Sequence, residues 1–390
     1  MAENSYFKNL KNDIISFRHD LHKIPELAFN EFKTSKYLKD KFESFGYEVF
    51  EGFGKTGLVA RLKKGSSDKS VAFRSDIDSI AVDEIRNLDY KSSHKGRMHA
   101  CGHDGHMATM LGAGKIIADK IDFDGYVYFI MQPAEEPGHG AKAMIDDGLF
   151  EKFKIDQIYG FHNVPGLKEG SFHTKDKGIL ASEDNFTIDI KARGGHASTP
   201  NLTIDPMVIA ANIILSLQTI VSRNANPVDT AVVSVTEIKT DGAHNAIPSN
   251  VRITGDTRTF KTDLSALIEK RMKELVENIT KAYGAGYEFS YTHEFYPTIN
   301  HKECVEIASK AGENILGEEN VDKNCDPMMF SEDFAYYLNE IPGCFSLVGS
   351  KKDDGKEVRN LHNNEFDYND DILLDTARVF AEIARLSLGK

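Results

Sequence analysis

Residues 126–137 have the sequence YVYFIMQPAEEP, an unbroken apolar run followed at once by two carboxylates between prolines. The run 126–131 predicts a strand covered on both faces, because a half-exposed strand would alternate apolar and polar residues. Strands of this kind belong to parallel sheets with helices on both faces. The stretch therefore predicts an α/β fold and puts Glu135 and Glu136 just beyond a buried strand.

The sequence around this stretch alternates between helix and strand signals, as an α/β domain requires. We predict helices over 8–22, 32–45 and 105–118 and short strands over 58–62, 71–74 and 158–161. The pattern changes near residue 183, where 186–192 (FTIDIKA) alternates apolar and polar residues in the manner of a sheet with one solvated face.

The segment that starts there contains its own set of elements in the order β-α-β-β-α-β. Its strands are predicted near 186–192, 230–238, 251–257 and 287–293, and its helices over 206–222 and 264–283. This order is that of a self-sufficient two-layer unit. Helices over 303–316 and 371–388 and a buried strand over 345–348 then resume the first pattern. We therefore predict a discontinuous catalytic domain, 1–182 and 295–390, with an inserted domain over 183–294.

Composition narrows the class of protein. The 390 residues carry a formal net charge of -13, so nucleic acids and anionic membranes are disfavoured as partners. Four cysteines without a C-x-x-C pair suit a reducing compartment better than a disulfide framework. The N-terminal segment lacks the apolar core of a signal peptide, and we expect no membrane span. These features predict a cytoplasmic protein.

The densest group of metal-capable side chains lies in residues 98–106, MHACGHDGH. Cys101, His103, Asp104 and His106 fall within six residues, directly before a predicted helix. Thiolate and imidazole are good zinc ligands. A single histidine at a helix N-terminus would be incidental, but four such groups with glycines between them predict a metal site.

Other candidate ligands occur at or beyond the ends of predicted strands. Adjacent side chains in an extended loop point in different directions, so one carboxylate of the Glu135–Glu136 pair can bind metal while the other acts as a general base. His162 in FHNVP and His362 in LHN are weak signals alone, because a single histidine is more often structural.

Amide hydrolysis explains why these groups would occur together. An amide carbonyl is a poor electrophile and its amine a poor leaving group. Two divalent ions can polarise the carbonyl oxygen and activate water, and a carboxylate must move the water's proton to the nitrogen. The chain offers enough ligands for two ions: Cys101, His103, Glu136, His162 and His362.

With these motifs, the sequence resembles the aminoacylase and carboxypeptidase superfamily of co-catalytic metallohydrolases, and within it the hippurate hydrolase and auxin-conjugate amidohydrolase subgroup. The similarity extends from FRHDLHKIPELAF (17–29) to LHNNEF (361–366). It implies a zinc-peptidase-like α/β domain with an inserted ferredoxin-like lid that also mediates dimerisation. It further implies hydrolysis of N-acyl-L-amino acids of the hippurate or N-acetyl type.

The resemblance also implies roles for individual residues of the metal-binding domain. Cys101 would bridge two divalent ions, which could be Zn, Mn, Co or Ni. His103, Glu136, His162 and His362 would complete the ligand set, and Glu135 would be the general base. Related branches have a metal-binding histidine at the position of Arg74. In RSDID (74–78), Asp76 and Asp78 would support the ligands without binding metal, although they could also simply cap the loop.

In the inserted domain, the resemblance singles out three residues. His196 in RGGHASTP would contact the substrate over the site and stabilise the oxyanion or the substrate carboxylate. Asn245 in HNAIPSN and Arg258 in GDTRTF would bind substrate. The alternative is a glycine-rich turn with an incidental histidine. A homodimer through the lid is likewise implied by the resemblance.

Two other functions use the same residues. A metal-free Cys-His hydrolase with Cys101 as nucleophile would respond to thiol reagents and not to chelators, but it would leave the Glu pair and His362 without a task. A non-catalytic metal-binding module would fill every coordination position with protein ligands. Glu135, retained beside a predicted ligand, favours the hydrolase over that module.

Overall fold

A computed structural model describes residues 2–352 and 358–389, except for the side chains of residues 2–4. The described chain divides into two compact units. The larger unit comprises residues up to 177, 300–326 and from 333 onwards; the smaller unit comprises 178–299 and 327–332.

The larger unit is built on one eight-stranded sheet. In spatial order its strands are Glu48–Phe53, Gly57–Lys64, Gly125–Gln132, Ser70–Asp76, Ile158–Lys168, Gly343–Lys351, Phe172–His173 and Val321–Asp322. Gly125–Gln132, Ser70–Asp76, Ile158–Lys168 and Gly343–Lys351 run parallel to one another. The apolar run 127–131 is buried throughout, as its composition predicts. The mixed α/β fold is thus confirmed.

Helices complete the larger unit, and their bounds are Ala2–His22, Phe32–Ser44, His103–Lys120, Gly140–Asp146, Leu149–Lys152, Lys302–Leu316, Ala335–Glu340 and Leu373–Leu388. His103–Lys120 is buried along nearly its whole length. A Cβ at Gly112 would lie 2.4 Å from Ile14 Cδ1, so this glycine permits close packing against the N-terminal helix. The helix that carries His103 is therefore firmly seated in the core.

The smaller unit has a four-stranded antiparallel sheet with two helices. Its strands are, in spatial order, Ala231–Thr240, Asn250–Thr259, Glu183–Lys191 and Gly286–Phe295. The helices are Pro206–Thr219, which continues in a π-helical turn over Ile220–Asn224, and Thr262–Tyr283. Apolar side chains of these elements form a core of their own, including Ile188, Ile253 and Ile268.

One helix of the smaller unit departs from the expectation that no stretch approaches a membrane span. Pro206–Asn224 is long and apolar enough in length and composition, although only 33% of the window is buried in the protein. Ile209, Ile213 and Leu217 face the unit's core, while Leu215 is 72% exposed. The i, i+4, i+8 spacing of its buried residues is that of a helix packed on a sheet.

Candidate metal centre

Five separated side chains converge in the larger unit. The ligand atoms of Cys101, His103 and His162 lie within 4.8 Å of one another, and so do those of Cys101, Glu136 and His362. Cys101 belongs to both groups, and its Sγ lies 3.3 Å from His162 Nε2. The structure thus brings together all five predicted ligands as two adjacent groups of three that share one sulfur atom.

Two glycines shape the loop and helix that carry Cys101 and His103. Gly102 has φ +97°, a conformation that favours glycine. A Cβ there would lie 2.4 Å from Asn163 Oδ1, and a Cβ on Gly105 would lie 2.3 Å from the ring of Tyr368. The glycines of HACGHDGH therefore let the thiol and the imidazole enter the site from one tight turn.

Glu136 and His362 reach the site from loops with fixed backbones. The Glu136 backbone N–H donates to Asp78 Oδ2 at 3.1 Å. His362 adopts φ +61°, and its backbone N–H donates to the Ala100 carbonyl at 2.8 Å. His362 Nε2 then lies 3.4 Å from Glu136 Oε2. The C-terminal segment is thereby tied directly to the residue that precedes Cys101.

Hydrogen bonds orient two of the histidines so that their Nε2 atoms face the cluster. His103 Nδ1 lies 3.0 Å from the Asp78 carbonyl oxygen and 3.2 Å from Asp78 Oδ1, so this nitrogen carries the proton and donates. His162 Nδ1 similarly lies 2.8 Å from the Asn163 carbonyl oxygen. His103 Nε2 is buried without a hydrogen-bond partner in the described chain, which suits a metal ligand.

The electrostatics also fit cations at this position. Burial raises the pKa of the Cys101 thiol well above its ordinary value, and Glu136, Glu135 and Asp76 raise it further. Burial opposes ionisation of Asp76, but His103, His106 and Arg74 hold its pKa well below the ordinary value. A divalent ion supplies the charge that ionises a coordinating thiol. Thiol, imidazoles and carboxylates therefore form a donor set suited to divalent metals, with Cys101, His103 and His162 buried and His362 exposed.

Asp76 and Asp78 lie beside the predicted ligand His103. Asp76 Oδ1 is 2.8 Å from His106 Nδ1, and Asp76 Oδ2 accepts from Arg74 at 2.9 Å. His106 Nε2 is 2.8 Å from Asn163 Oδ1. The ligand atoms of Asp76, His103 and His106 also lie within 4.8 Å of one another, but both nitrogens of His106 are already hydrogen-bonded.

Asp104, a candidate in MHACGHDGH, belongs to none of the ligand groups found in the described chain. It is buried, and its Oδ2 accepts from Arg18 at 3.2 Å and lies 2.8 Å from His22 Nδ1. Both partners belong to FRHDLHKIPELAF. This ion network anchors the helix that begins at His103 to the N-terminal helix.

Glu135 is buried and lies close to the predicted ligands His103 and Glu136. Its Oε2 lies 3.9 Å from His103 Nε2, and it groups with His103 and Glu136. The residue before it, Ala134, has φ +50°. Sequence patterns give no sign of that left-handed turn, and they also miss Asn163, whose side chain bonds His106.

His196, Asn245 and Arg258 belong to the smaller unit. His196 is exposed in the short strand Gly195–His196, which pairs with Ala246–Ile247. The Ser198 backbone N–H donates to His196 Nδ1 at 3.2 Å, so the neutral ring carries its proton on Nε2. Asn245 is exposed, and its carbonyl accepts from Ala197 N at 3.1 Å.

The Arg258 side chain already has several polar partners, which the sequence does not indicate. Its guanidinium pairs with Glu183 at 2.8 Å and with Asp256 at 2.9 Å, and it donates to Ser331 Oγ at 2.7 Å. Two carboxylates of its own unit already balance its charge.

Metal-capable groups that converge beside the sheet of an α/β domain are what a metallohydrolase requires. The chain belongs to the peptidase family M20/M25/M40, whose family model matches residues 72–386. It is 38% identical to a hippurate hydrolase of Campylobacter jejuni over 376 residues, covering 96% of this chain and 97% of the relative. It is 35% identical to an N-acetylcysteine deacetylase of Bacillus subtilis, covering 100% and 99%.

A solved structure supports the same membership. A dinuclear metal-binding peptidase of the M20 family from Bacillus subtilis superposes with a TM-score of 0.84 at 32% identity, over 98% of this chain and 99% of that one. These relatives place the chain in the hippurate hydrolase subgroup of the family, and the chain is an amidohydrolase.

Proposed function

We propose that this amidohydrolase uses two divalent metal ions to remove the acyl group from N-acyl-L-amino acids of the hippurate or N-acetyl type. The observation that carries the proposal is the convergence of two ligand triplets on Cys101 with Glu135 beside them. The names of the hippurate hydrolase and deacetylase relatives support this class of substrate.

In this proposal Cys101, which belongs to both triplets, would help to hold both ions. His103 and His162 complete one triplet, and Glu136 and His362 complete the other. Zinc suits the thiolate, while manganese, cobalt or nickel can use the same ligands. Two bound cations would polarise the amide carbonyl and acidify water.

Glu135 is the proposed general base. A carboxylate there takes a proton from the attacking water and delivers it to the amide nitrogen as the C–N bond breaks. Its proximity to His103 supports this role, as does its burial, which strengthens electrostatic interactions at the reacting atoms.

The 183–294 segment is the proposed inserted domain, a ferredoxin-like lid that also mediates homodimerisation. The four strands of its main sheet and its two helices occur in the order that such a unit requires. We propose that His196 donates from Nε2 to the oxyanion or to the substrate carboxylate, and that Asn245 and Arg258 bind substrate. Since Glu183 and Asp256 already pair with Arg258, the guanidinium would have to share its donors with the ligand.

The cytoplasm is the proposed location. Cys101, Cys304, Cys325 and Cys344 are all unpaired and buried, as expected in a reducing compartment.

The alternative of a metal-free thiol hydrolase is weaker. Such an enzyme needs a thiolate at neutral pH, whereas burial and three nearby carboxylates keep Cys101 protonated in the absence of metal. It would also assign no task to Glu136 and His362.

The test is an assay of N-acetyl, N-benzoyl and longer N-acyl amino acids with metal-replenished enzyme, a chelator-treated sample and the Glu135→Gln variant. We expect hydrolysis by the replenished enzyme, loss with chelator, and turnover at least about 100-fold lower in Glu135→Gln with its metal retained. Hydrolysis that persists in chelator, or a fully active Glu135→Gln enzyme, would refute the mechanism.

A further inference from the structure

We infer that Glu31 is a positioning residue for the proposed base, because it holds the backbone of the 132–137 loop so that Glu135 faces the metal centre. This inference rests on the proposed function, since Glu31 acts only through Glu135. Glu31 lies just beyond FRHDLHKIPELAF, on a part of the chain that the catalytic assignments leave without a role.

Three donors converge on the buried carboxylate of Glu31. Its Oε1 accepts from the backbone N–H of Ala134 at 3.0 Å and from that of Phe29 at 2.9 Å. Its Oε2 accepts from Thr56 Oγ1 at 2.5 Å. The bond to Ala134 links positions that are 103 residues apart in the chain.

Ala134, whose N–H donates to Glu31, has an unfavourable backbone conformation. Ala134 has φ +50°, the left-handed region that a Cβ disfavours. Its carbonyl accepts from Gly140 N at 3.0 Å, which closes the turn. A Cβ on Gly140 would lie 1.6 Å from the Pro133 carbonyl oxygen, so the turn is closed too tightly for any other residue.

Glu135 therefore lies between two fixed peptides. Glu31 holds the N–H of Ala134, and Asp78 Oδ2 holds the N–H of Glu136 at 3.1 Å. Without the Glu31 bond, Ala134 can relax toward a favoured φ, and the Glu135 backbone rotates with it. A shift of about 1 Å in a catalytic group can cost a factor of about 100 in rate.

The hydrogen bonds of Glu31 depend on the length of its side chain and on its oxygen acceptors more than on its charge. Burial raises the pKa of Glu31, a hydrogen bond from Thr56 opposes that rise, and the carboxylate of Asp78 adds to it. A glutamine could accept both N–H bonds through its oxygen and donate to Thr56 Oγ1 through its nitrogen. An aspartate keeps the charge but is one methylene too short to reach all three partners.

The experiment compares Glu31→Gln, Glu31→Asp and Glu31→Ala in metal-replenished enzyme, with kcat, KM and metal content measured for each. We expect Glu31→Gln to keep most of kcat. The Asp and Ala variants should lose about 10- to 100-fold in kcat with KM and metal content unchanged. If Glu31→Ala does not fold, the comparison of kcat in Glu31→Gln and Glu31→Asp still tests whether Glu31 positions the loop.

Glu26→Ala is the matched control. Glu26 is another buried carboxylate of this segment, but its Oε2 accepts from Lys33 N at 2.8 Å and from Thr34 N at 3.0 Å, both local. This variant should lose thermal stability and keep kcat.

Several outcomes would overturn the inference while leaving the proposed function intact. They are wild-type kcat in Glu31→Asp, a larger loss in Gln than in Asp, a loss that follows metal content, or an equal kcat loss in Glu26→Ala. If the wild-type enzyme hydrolysed none of the N-acyl amino acids, the proposed function would be overturned, and this inference with it.

Discussion

Replacing Asp78 with asparagine should weaken metal binding without unfolding the protein. Asp78 Oδ1 lies 3.2 Å from His103 Nδ1, and Asp78 Oδ2 accepts from the backbone N–H of Glu136 at 3.1 Å. One carboxylate thus fixes a residue in each of the two ligand triplets. An asparagine has one oxygen and one NH₂ group, so it must turn a donor toward one of these two donors.

The loss of one acceptor at position 78 sets the expected decrease in metal affinity. Removing a group that orients a metal-bound histidine typically costs a factor of 10 to 100 in metal affinity, or about 1.4 to 2.8 kcal/mol. Because Asp78 serves both triplets, both binding steps should weaken. The metal-free variant should still fold, since asparagine has nearly the same volume.

Titration of metal-free enzyme with Zn²⁺ or Mn²⁺, in competition with a chromophoric chelator, measures the two affinities. Ser79→Ala is the matched control, because its buried hydroxyl bonds the Glu26 carbonyl at 2.9 Å and not a proposed ligand. Unchanged affinity in Asp78→Asn, or an equal loss in Ser79→Ala, would show that the Asp78 carboxylate does not position the proposed ligands.

Three further predictions concern other parts of the molecule. Cys101→Ala should lower metal stoichiometry at both positions, because both triplets share its sulfur; two ions per subunit by elemental analysis would contradict this. His196→Ala should lower kcat by about 100-fold or more with metal content unchanged, whereas lost metal would place this residue among the ligands. Burial lowers the pKa of His22, but Asp104 and Glu84 outweigh it and raise the pKa from 6.5 to about 9. The charged form is favoured in the folded state, so this stabilisation is complete below pH 6.5 and is lost as pH rises through about 9. The free energy of unfolding in urea should thus fall by up to about 3 kcal/mol more in the wild type than in His22→Gln over that pH range. An equal pH dependence of the two proteins would contradict this prediction.

The sequence predicts well those features that depend on local residue types. The run 126–131 is apolar because both faces of its strand are covered, so its burial can be recognised without any partner. The proposed ligands are of types that bind divalent metals, and the sequence puts them beyond predicted strands or in loops, which is where α/β sheets place their sites. That combination predicted their convergence.

Features that depend on distant partners could not be predicted in this way. Asp104 has the chemistry of a ligand, but Arg18 and His22 on another helix engage it. The left-handed Ala134 is held by Glu31 and carries no local signal of its own. The edge strand Glu48–Phe53 is not predicted because half of its residues are exposed and Gly52 interrupts the pattern.

Anomalous diffraction from crystals of metal-replenished enzyme, collected at the absorption edge of the bound metal, tests whether these side chains hold two metal ions. We predict two peaks about 3.5–4 Å apart on either side of Cys101 Sγ, one beside His103 and His162 and the other beside Glu136 and His362. A single peak, or density remote from these side chains, would contradict it.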